Sequence, residues 1–409
     1  MKQTKKLSLA LQIFIGLGLG IIAGLIFMSI GKVDFAISYV KPFGTIFLNL
    51  IKFIVVPIVL CSIICGVISM QDIRKVGSIG WKTVVYYLIT TAFAVAIGLL
   101  FANLFKGTFQ VLQTTDLEYE IAQTTNFMDT LVDIFPSNVI RPLSDATMLQ
   151  IIVIALFFGF GIIIAGEKGE PLAKVITSLN DVSMIIMELI LKLSPIGVFC
   201  LITPVVAENG PEILGSLAMV LVTAYISYIV HMVVVYSSTV KIMGGLSPIA
   251  FFKGMAPAMI MAFSSASSVG TLPLNMECSQ KLGAKKDVAS FVLPLGATIN
   301  MDGTAIYQGV CAVFIASCFG IDLTLTEMMT IVLTATLASI GTAGVPGSGM
   351  IMLAMVLQSV GLPVEGIALV AGVDRIFDMG RTVVNITGDA SCAVIVSALE
   401  DKKSKKYSK

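Results

Sequence analysis

The sequence predicts an all-α membrane protein with eight transmembrane helices and two re-entrant helical hairpins. Hydrophobic residues make up 56% of the 409 residues and charged residues only 12%, a composition typical of a polytopic membrane protein and not of a soluble domain. Several apolar segments are long enough to cross about 30 Å of hydrocarbon. After residue 245, such segments are interrupted by stretches rich in serine, glycine and proline, which favours broken helices.

Six uninterrupted spans precede that change, and the basic residues between them indicate their orientation. The spans are predicted near 9–30, 41–69, 83–105, 149–166, 183–206 and 214–242. The connection at 106–148 is mostly acidic and is therefore predicted to be external. MKQTKK leads straight into the first span, so we predict a retained first helix with a cytoplasmic N-terminus. The basic residues that indicate cytoplasmic connections are Lys2, Lys5, Lys6, Arg74, Lys75, Lys82, Lys168, Lys174, Lys241 and Lys253.

Two interrupted segments follow, and each is predicted to enter and leave the membrane on one side. FSSASSVGTLP (263–273) has basic residues on both flanks, which predicts a hairpin that opens to the cytoplasm. SIGTAGVPGSG (339–349) has neither lysine nor arginine in its flanks at 319–327 and 358–366, which predicts an external hairpin. Spans near 289–317 and 366–399 follow the hairpins, and the tail DKKSKKYSK is basic. Both termini are thus predicted to be cytoplasmic. A hairpin followed by a broken helix occurs twice, in opposite orientations, which predicts an inverted repeat.

The last span carries a polar stripe, DRIFDMGRTVVNITGD (374–389). On a helix, Asp374, Asp378, Arg381, Asn385 and Asp389 lie within a sector of about 80°. A charge at the bilayer centre costs at least about 2.5–3.5 kcal/mol, so such residues are expected to face a cavity, one another or a ligand.

Residue chemistry suggests roles for this stripe but leaves alternatives open. Arg381 can form a bidentate fork with a ligand carboxylate, or an internal salt bridge with Asp378 or Asp374. Asp389 and Asp302 can bind Na⁺ through hard oxygens, or can be protonated or hydrogen-bonded. His231, the single histidine, is predicted to be a packing or lipid-interface residue. Polar lining is expected of Ser264, Ser265, Ser267 and Ser268, and free thiols of the seven cysteines.

Three segments in order, LGATINMDGT (295–304), 339–349 and DRIFDMGRTVVNITGD, resemble the glutamate transporter family, also called dicarboxylate/amino acid:cation symporters. The serine-rich hairpin and YYLITT (86–91) extend the likeness over almost the whole chain. The resemblance implies a homotrimer in which a scaffold holds a transport domain that moves like an elevator. The implied divisions are scaffold helices in 1–80, a transport-domain helix in 81–106, an external loop and scaffold helices in 107–206, the sixth helix in 207–245, a transport core in 246–400 and a basic cytoplasmic tail in 401–409.

The same resemblance implies the site residues. It places the substrate side-chain carboxylate on Arg381 and the substrate amino group on Asp378. Further substrate contacts are implied at Thr304, Asn385, Ser268 and the hairpin tip from Val345 to Gly349. Sodium is implied at three sets of ligands: Asp389 with the carbonyls of Gly296, Asn300 and Asn385; the carbonyls of Thr298, Ser339, Ile340 and Thr342; and a combination of Tyr87, Thr90, Thr91, Asn300 and Asp302.

One departure concerns a second arginine that relatives hold near the site. The matching positions here are Ala266 and Met379, and Arg375, three residues before Asp378, is the candidate replacement.

The resulting expectation is a secondary active symporter of the plasma (inner) membrane that imports aspartate or glutamate with Na⁺. It is expected to contact membrane lipid, to need no organic cofactor, to bind no nucleic acid and to catalyse no reaction. The alternatives are a proton-coupled carrier, a neutral amino acid or C4-dicarboxylate carrier and, from another class, an anion channel.

Overall fold

The computed structural model describes residues 9–69, 77–109, 111, 132, 135–210, 212–340 and 348–407. Throughout these residues the regular structure is helical. Seven of the described helices are long and apolar enough to cross a membrane, or eight if one bent pair is a single span. An all-helical, polytopic membrane protein is thus confirmed.

The first part of the chain forms seven main helices. They are α1 (Leu9–Ser29), α2 (Lys41–Ser69), α3 (Ser78–Phe105), α4 (Met148–Ala165), α5 (Glu170–Leu191), α6 (Ser194–Asn209) and α7 (Glu212–His231). Short helical turns, Val33–Phe35 and Ala36–Val40, lead into α2. The π-helical turn Met232–Tyr236 continues α7, and the segment then ends in a second π-turn, Val240–Gly244.

One of the predicted spans is bent, whereas the sequence predicts an uninterrupted span there. The segment 183–206 is not one straight helix, because α5 and α6 meet at a bend of 53°. Pro195, in the first turn of α6, has no N–H to donate to the carbonyl four residues earlier, so the helical ladder cannot continue through it.

The second part of the chain alternates short helices with interruptions. Its main helices are α8 (Pro248–Ser265), α9 (Ser268–Lys281), α10 (Lys286–Ile299), α11 (Asp302–Cys318), α12 (Leu325–Ala338), α13 (Ser348–Ser359) and α14 (Asp374–Tyr407). The break between α10 and α11 falls at Asn300 and Met301. Gly296 and Gly303 flank this pair in the sequence and by themselves predict unwinding there. Asn300 has the extended angles φ −93° and ψ 97°.

The packing centres on α11 and α14. All residues of α11 are buried, and α14 contacts α8, α9, α10 and α11. α3 packs against α7 and α11. Elsewhere α1 packs against α6, and α2 packs against α4, α5 and α6. The polar stripe of α14 therefore faces other helices and not the outer surface.

Several predictions concern positions outside the described residues. These are the basic residues Lys2, Lys5, Lys6, Arg74 and Lys75, the acidic loop residues Asp116, Glu118, Glu120, Asp129 and Asp133, and the implied ligands Thr342 and Val345.

Candidate substrate and cation site

The stripe on α14 is buried along its whole length. Arg381 is 2% exposed, Asp374 and Asp378 are 5% and 4% exposed, and Asp389 is 1% exposed. An isolated charge at such a place would be costly, so the partners of these groups decide what the site can do.

Arg381 is held between two carboxylates of its own helix. Its Nε donates to Asp378 Oδ1 at 2.8 Å, its Nη1 to Asp374 Oδ1 at 3.1 Å and its Nη2 to Asp374 Oδ2 at 3.5 Å. The internal salt bridge that the sequence left open is thus present, and it involves both aspartates. Asp374 occupies the two-nitrogen fork that suits a carboxylate.

Arg375 supplies a second cation beside the first. Its Nη1 lies 3.6 Å from Asp378 Oδ2, and its Nη2 donates to the carbonyl oxygen of Ser265 at 3.2 Å. Ser265 ends α8, and the next residue, Ala266, is left-handed with φ 50°. The arginine proposed from the sequence therefore pairs with Asp378 and also ties α14 to the connection between α8 and α9.

Two further groups enclose the Arg381 guanidinium. Its Cζ lies 4.8 Å from the centroid of the Tyr307 ring, a cation–π contact. Gly349, in the first turn of α13, lies so close that a Cβ there would overlap the guanidinium nitrogens. Gly349 was implied as a substrate contact, and the structure places it directly against Arg381.

Asn385 joins the substrate residues to the break between α10 and α11. Its Oδ1 accepts from the backbone N–H of Gly303 at 2.8 Å, and its Nδ2 lies 3.5 Å from Thr304 Oγ1. Its carbonyl accepts from Asn300 Nδ2 at 3.0 Å. Ser268, also implied in substrate binding, is buried at the start of α9.

The first implied set of sodium ligands comes together around Asp389. Asn300 Nδ2 donates to Asp389 Oδ1 at 2.9 Å, and Gly296 lies close enough to that oxygen to leave no room for a side chain. Asn300 Oδ1 is buried and accepts no hydrogen bond from the described residues.

The third implied set comes together only in part. Thr91 Oγ1 donates to Asp302 Oδ1 at 2.6 Å. The Tyr87 hydroxyl instead donates to the carbonyl of Val292 at 3.1 Å, and the Thr90 hydroxyl bonds to its own helix.

The second implied set, the carbonyl oxygens of Thr298, Ser339, Ile340 and Thr342, stays a prediction, because Thr342 lies outside the described residues. The Thr298 hydroxyl donates to Leu295, and the Ser339 hydroxyl donates to Thr336. Ser339 and the next residue, Ile340, are both buried.

Two residues at Asp302 were missed by reading the sequence. Asp302 Oδ2 lies 3.2 Å from His231 Nε2 and accepts from the Tyr236 hydroxyl at 2.7 Å. His231 is fully buried, so a position at the lipid interface is wrong, and its contact with a carboxylate goes beyond helix packing. The five-residue spacing of His231 and Tyr236 gives no signal on a regular α-helix.

The bundle of interrupted helices thus encloses a buried guanidinium with its carboxylates, and also two further buried carboxylates. Of these two, Asp302 accepts from the Thr91 and Tyr236 hydroxyls, and Asp389 accepts from the Asn300 amide. Discontinuous helices that hold charged groups within a membrane bundle are the architecture of secondary transporters.

Comparison with known proteins agrees with this class. Residues 9–399 match the model of the sodium:dicarboxylate symporter family. The chain is 39% identical to the proton/sodium-glutamate symport protein of Geobacillus stearothermophilus, over 98% of both chains. It is 34% identical to the proton/glutamate-aspartate symporter of Escherichia coli K12, over 98% of this chain and 95% of the relative. A C4-dicarboxylate transport protein of Bacillus subtilis is 30% identical, over 97% of this chain and 94% of the relative.

The chain therefore belongs to the sodium:dicarboxylate symporter family. It is a transporter and not an enzyme, as the sequence predicts.

Proposed function

We propose that this protein is a secondary active symporter that imports an acidic amino acid, aspartate or glutamate, together with Na⁺. The observation that carries the proposal is the buried Arg381, whose guanidinium fork already holds a carboxylate, that of Asp374. A group arranged in this way is suited to exchanging an internal carboxylate for that of a ligand.

The four charges of the cluster, those of Arg381, Arg375, Asp374 and Asp378, match the chemistry of an acidic amino acid. The side-chain carboxylate of the substrate takes the fork of Arg381, and its ammonium group takes Asp378. Arg375 holds the opposite oxygen of Asp378 and so keeps that carboxylate in place. Thr304, Asn385, Ser268 and the segment from Val345 to Gly349 complete the substrate contacts in this proposal.

Cation coupling follows from the negative charge that the substrate adds. Asp302 and Asp389 are buried carboxylates, and a bound acidic amino acid carries a further net negative charge. Cations bound at these carboxylates offset that charge, so each ligand binds better when the other is present. Asn300 supports the proposal because its buried Oδ1 is an oxygen of the kind that Na⁺ prefers.

Asn385 supplies a physical connection between the two kinds of ligand. Its side chain orients the start of α11 near Thr304, while its carbonyl binds the Asn300 side chain. We propose that binding at one side of Asn385 changes the geometry at the other.

The proposed movement uses the paired helices. In this proposal α8 with α9, and α12 with α13, are re-entrant hairpins on opposite sides of the membrane, and the second hairpin is the outer gate. The transport domain of a homotrimer then moves like an elevator against a scaffold in the plasma membrane. The packing of α2 against α4, α5 and α6, and of α14 against α8 to α11, supports two groups of helices, which meet where α13 packs against α2 and α4.

A C4-dicarboxylate carrier is a second candidate, because one of the relatives bears that name. Such a substrate has no ammonium group, so it would leave Asp378 without the partner that this proposal gives it. A neutral amino acid has no side-chain carboxylate, so it would likewise leave the Arg381 fork without the partner that this proposal gives it.

The experiment uses the purified full chain in liposomes. Uptake of labelled glutamate is expected only when an inward Na⁺ gradient is imposed, whereas uptake driven equally well by a proton gradient alone would refute sodium coupling. Competition by a panel of twenty amino acids with succinate and malate then separates the candidates. Substrate-independent current without concentrative uptake would favour an anion channel.

A further inference from the structure

The carboxylate of Asp302 is enclosed by three side chains from two different helices. Thr91, on α3, donates to Oδ1, while His231 and Tyr236, at the end of α7, contact Oδ2 at 3.2 Å and 2.7 Å. Asp302, His231 and Tyr236 are fully buried. The two oxygens of this carboxylate therefore have different environments.

A π-turn brings His231 and Tyr236 to the same oxygen. On a regular α-helix, residues five apart point about 140° away from each other. The chain from Met232 to Tyr236 is π-helical, with i to i+5 hydrogen bonds, which add one residue to the turn and bring position i+5 back to the face of position i. The two rings consequently touch edge to face, with centroids 4.7 Å apart.

The polar atoms of both side chains are directed at this carboxylate. A carboxylate oxygen only accepts, so His231 Nε2 carries a hydrogen and donates to Oδ2. Its other ring nitrogen, Nδ1, makes no hydrogen bond with the described residues. The Tyr236 hydroxyl also lies 3.2 Å from the carbonyl of Val384 on α14, so it connects the helix of the stripe to Asp302.

We infer that His231 and Tyr236 are positioning residues for the cation site at Asp302, a role that rests on the proposed sodium symport. With two partners at Oδ2, they fix the plane of the carboxylate. Oδ1, whose partner among the described residues is the Thr91 hydroxyl, is then the oxygen that Asp302 offers to Na⁺. Groups that hydrogen-bond to a metal ligand in this manner orient it, and their loss typically weakens metal affinity by about 10–100-fold.

The test compares variants of the full chain in liposomes. In Tyr236→Phe and His231→Leu, one donor to Oδ2 is lost. In His231→Gln, an amide can still donate to that oxygen. Ser227→Ala is the matched control, because Ser227 is buried on α7 one turn before His231, and its hydroxyl donates to the carbonyl of Thr223 on the same helix. Initial rates of glutamate uptake are measured against Na⁺ concentration at saturating glutamate, and against glutamate concentration at saturating Na⁺.

For Tyr236→Phe and His231→Leu, we expect the half-saturating Na⁺ concentration to rise by about tenfold or more. The KM for glutamate at saturating Na⁺ should stay within about twofold of the unmodified protein, and His231→Gln should restore most of the Na⁺ affinity. A residue that serves only packing would not produce this separation of Na⁺ affinity from substrate KM, nor the rescue by glutamine.

Unchanged Na⁺ dependence in Tyr236→Phe and His231→Leu would overturn the inference. If His231→Leu does not elute as a monodisperse protein, the inference is tested on Tyr236→Phe and His231→Gln. A half-saturating Na⁺ concentration in Tyr236→Phe equal to that of the unmodified protein then overturns the inference. Sodium-independent uptake by the unmodified protein would instead refute the proposed function, so the two failures are distinguishable.

Discussion

Arg381 is a buried cation whose charge is balanced within its own helix. Asp378 and Asp374 together contact three of its nitrogens, and Arg375 pairs with the remaining oxygen of Asp378. Two cations and two anions thus form a neutral cluster, which offsets the cost of taking each charge out of water. In the proposed function, the substrate carboxylate displaces Asp374 from the guanidinium, so Arg381 is paired with a carboxylate both before and after the substrate binds.

Replacing Arg381 tests the carboxylate role directly. Arg381→Ala is expected to abolish uptake of glutamate, because the fork is removed and two carboxylates of like charge remain. Arg381→Lys keeps the charge but not the fork, so we expect a glutamate KM raised by at least about tenfold. Arg141→Ala, at an exposed arginine, is the control for both. Size-exclusion chromatography establishes folding, and unchanged glutamate uptake by folded Arg381→Ala would refute the role.

At Asp389, a single substitution separates the effect of the side chain's negative charge on Na⁺ binding from the effect of its shape. Asp389→Asn keeps the shape of the side chain beside Asn300 but removes the negative charge. We expect the half-saturating Na⁺ concentration for uptake to rise by at least about tenfold. Asp287→Asn, an exposed acidic position at the start of α10, should leave it unchanged. Equal Na⁺ dependence of Asp389→Asn and the unmodified protein would exclude Asp389 as a sodium ligand.

At the scale of the elements, interrupted helices place helix ends beside the charged stripe. The break at Asn300 and Met301 frees the first N–H groups of α11, and Asn385 binds that of Gly303. Asp302 lies in the first turn of α11, where a negative charge is favoured by the helix dipole. A continuous helix from α10 to α11 would have used these backbone groups in its own ladder.

The start of α13 is packed against Arg381, and Gly349→Ala tests this contact. The added methyl group must displace the guanidinium from its place beside Asp374, and overpacking of this kind costs about 1–3 kcal/mol. We expect the glutamate KM to rise by about tenfold. Gly215→Ala makes the same change on α7, where a Cβ meets open space, and should have no effect. A normal KM in Gly349→Ala would show that α13 does not stay against Arg381 during transport.

At the scale of the whole molecule, large apolar side chains lie exposed on the outer helices. On α4, Phe157 is 67% exposed and Ile164 is 75% exposed. Such a surface suits lipid or another copy of the chain, whereas it would be unusual in a soluble monomer.

We predict a homotrimer. Native mass spectrometry, or light scattering corrected for detergent, is expected to give three times the mass of one chain. A protein that remains monomeric across detergents and still transports in liposomes would contradict the predicted assembly.

The membrane class, most span limits, the break at Asn300 and Met301, and the polar stripe could all be predicted from the sequence, because they depend on local hydrophobicity and spacing. It also suggested the pairing of Arg375 with Asp378, three residues apart on one helix. The bend between α5 and α6 could have been suspected from Pro195, which removes one backbone donor.

The partners of the charged groups could be read only from the packed helices. Asp302 meets Thr91, His231 and Tyr236, which lie far from it in the chain, and a π-turn sets the direction of two of them. Asp374 holds the fork of Arg381, although spacing allowed Asp378 or a ligand equally well. Helix rotation, a local change of helical period and the choice between competing partners depend on how whole elements pack, and a pattern along one segment does not contain that information.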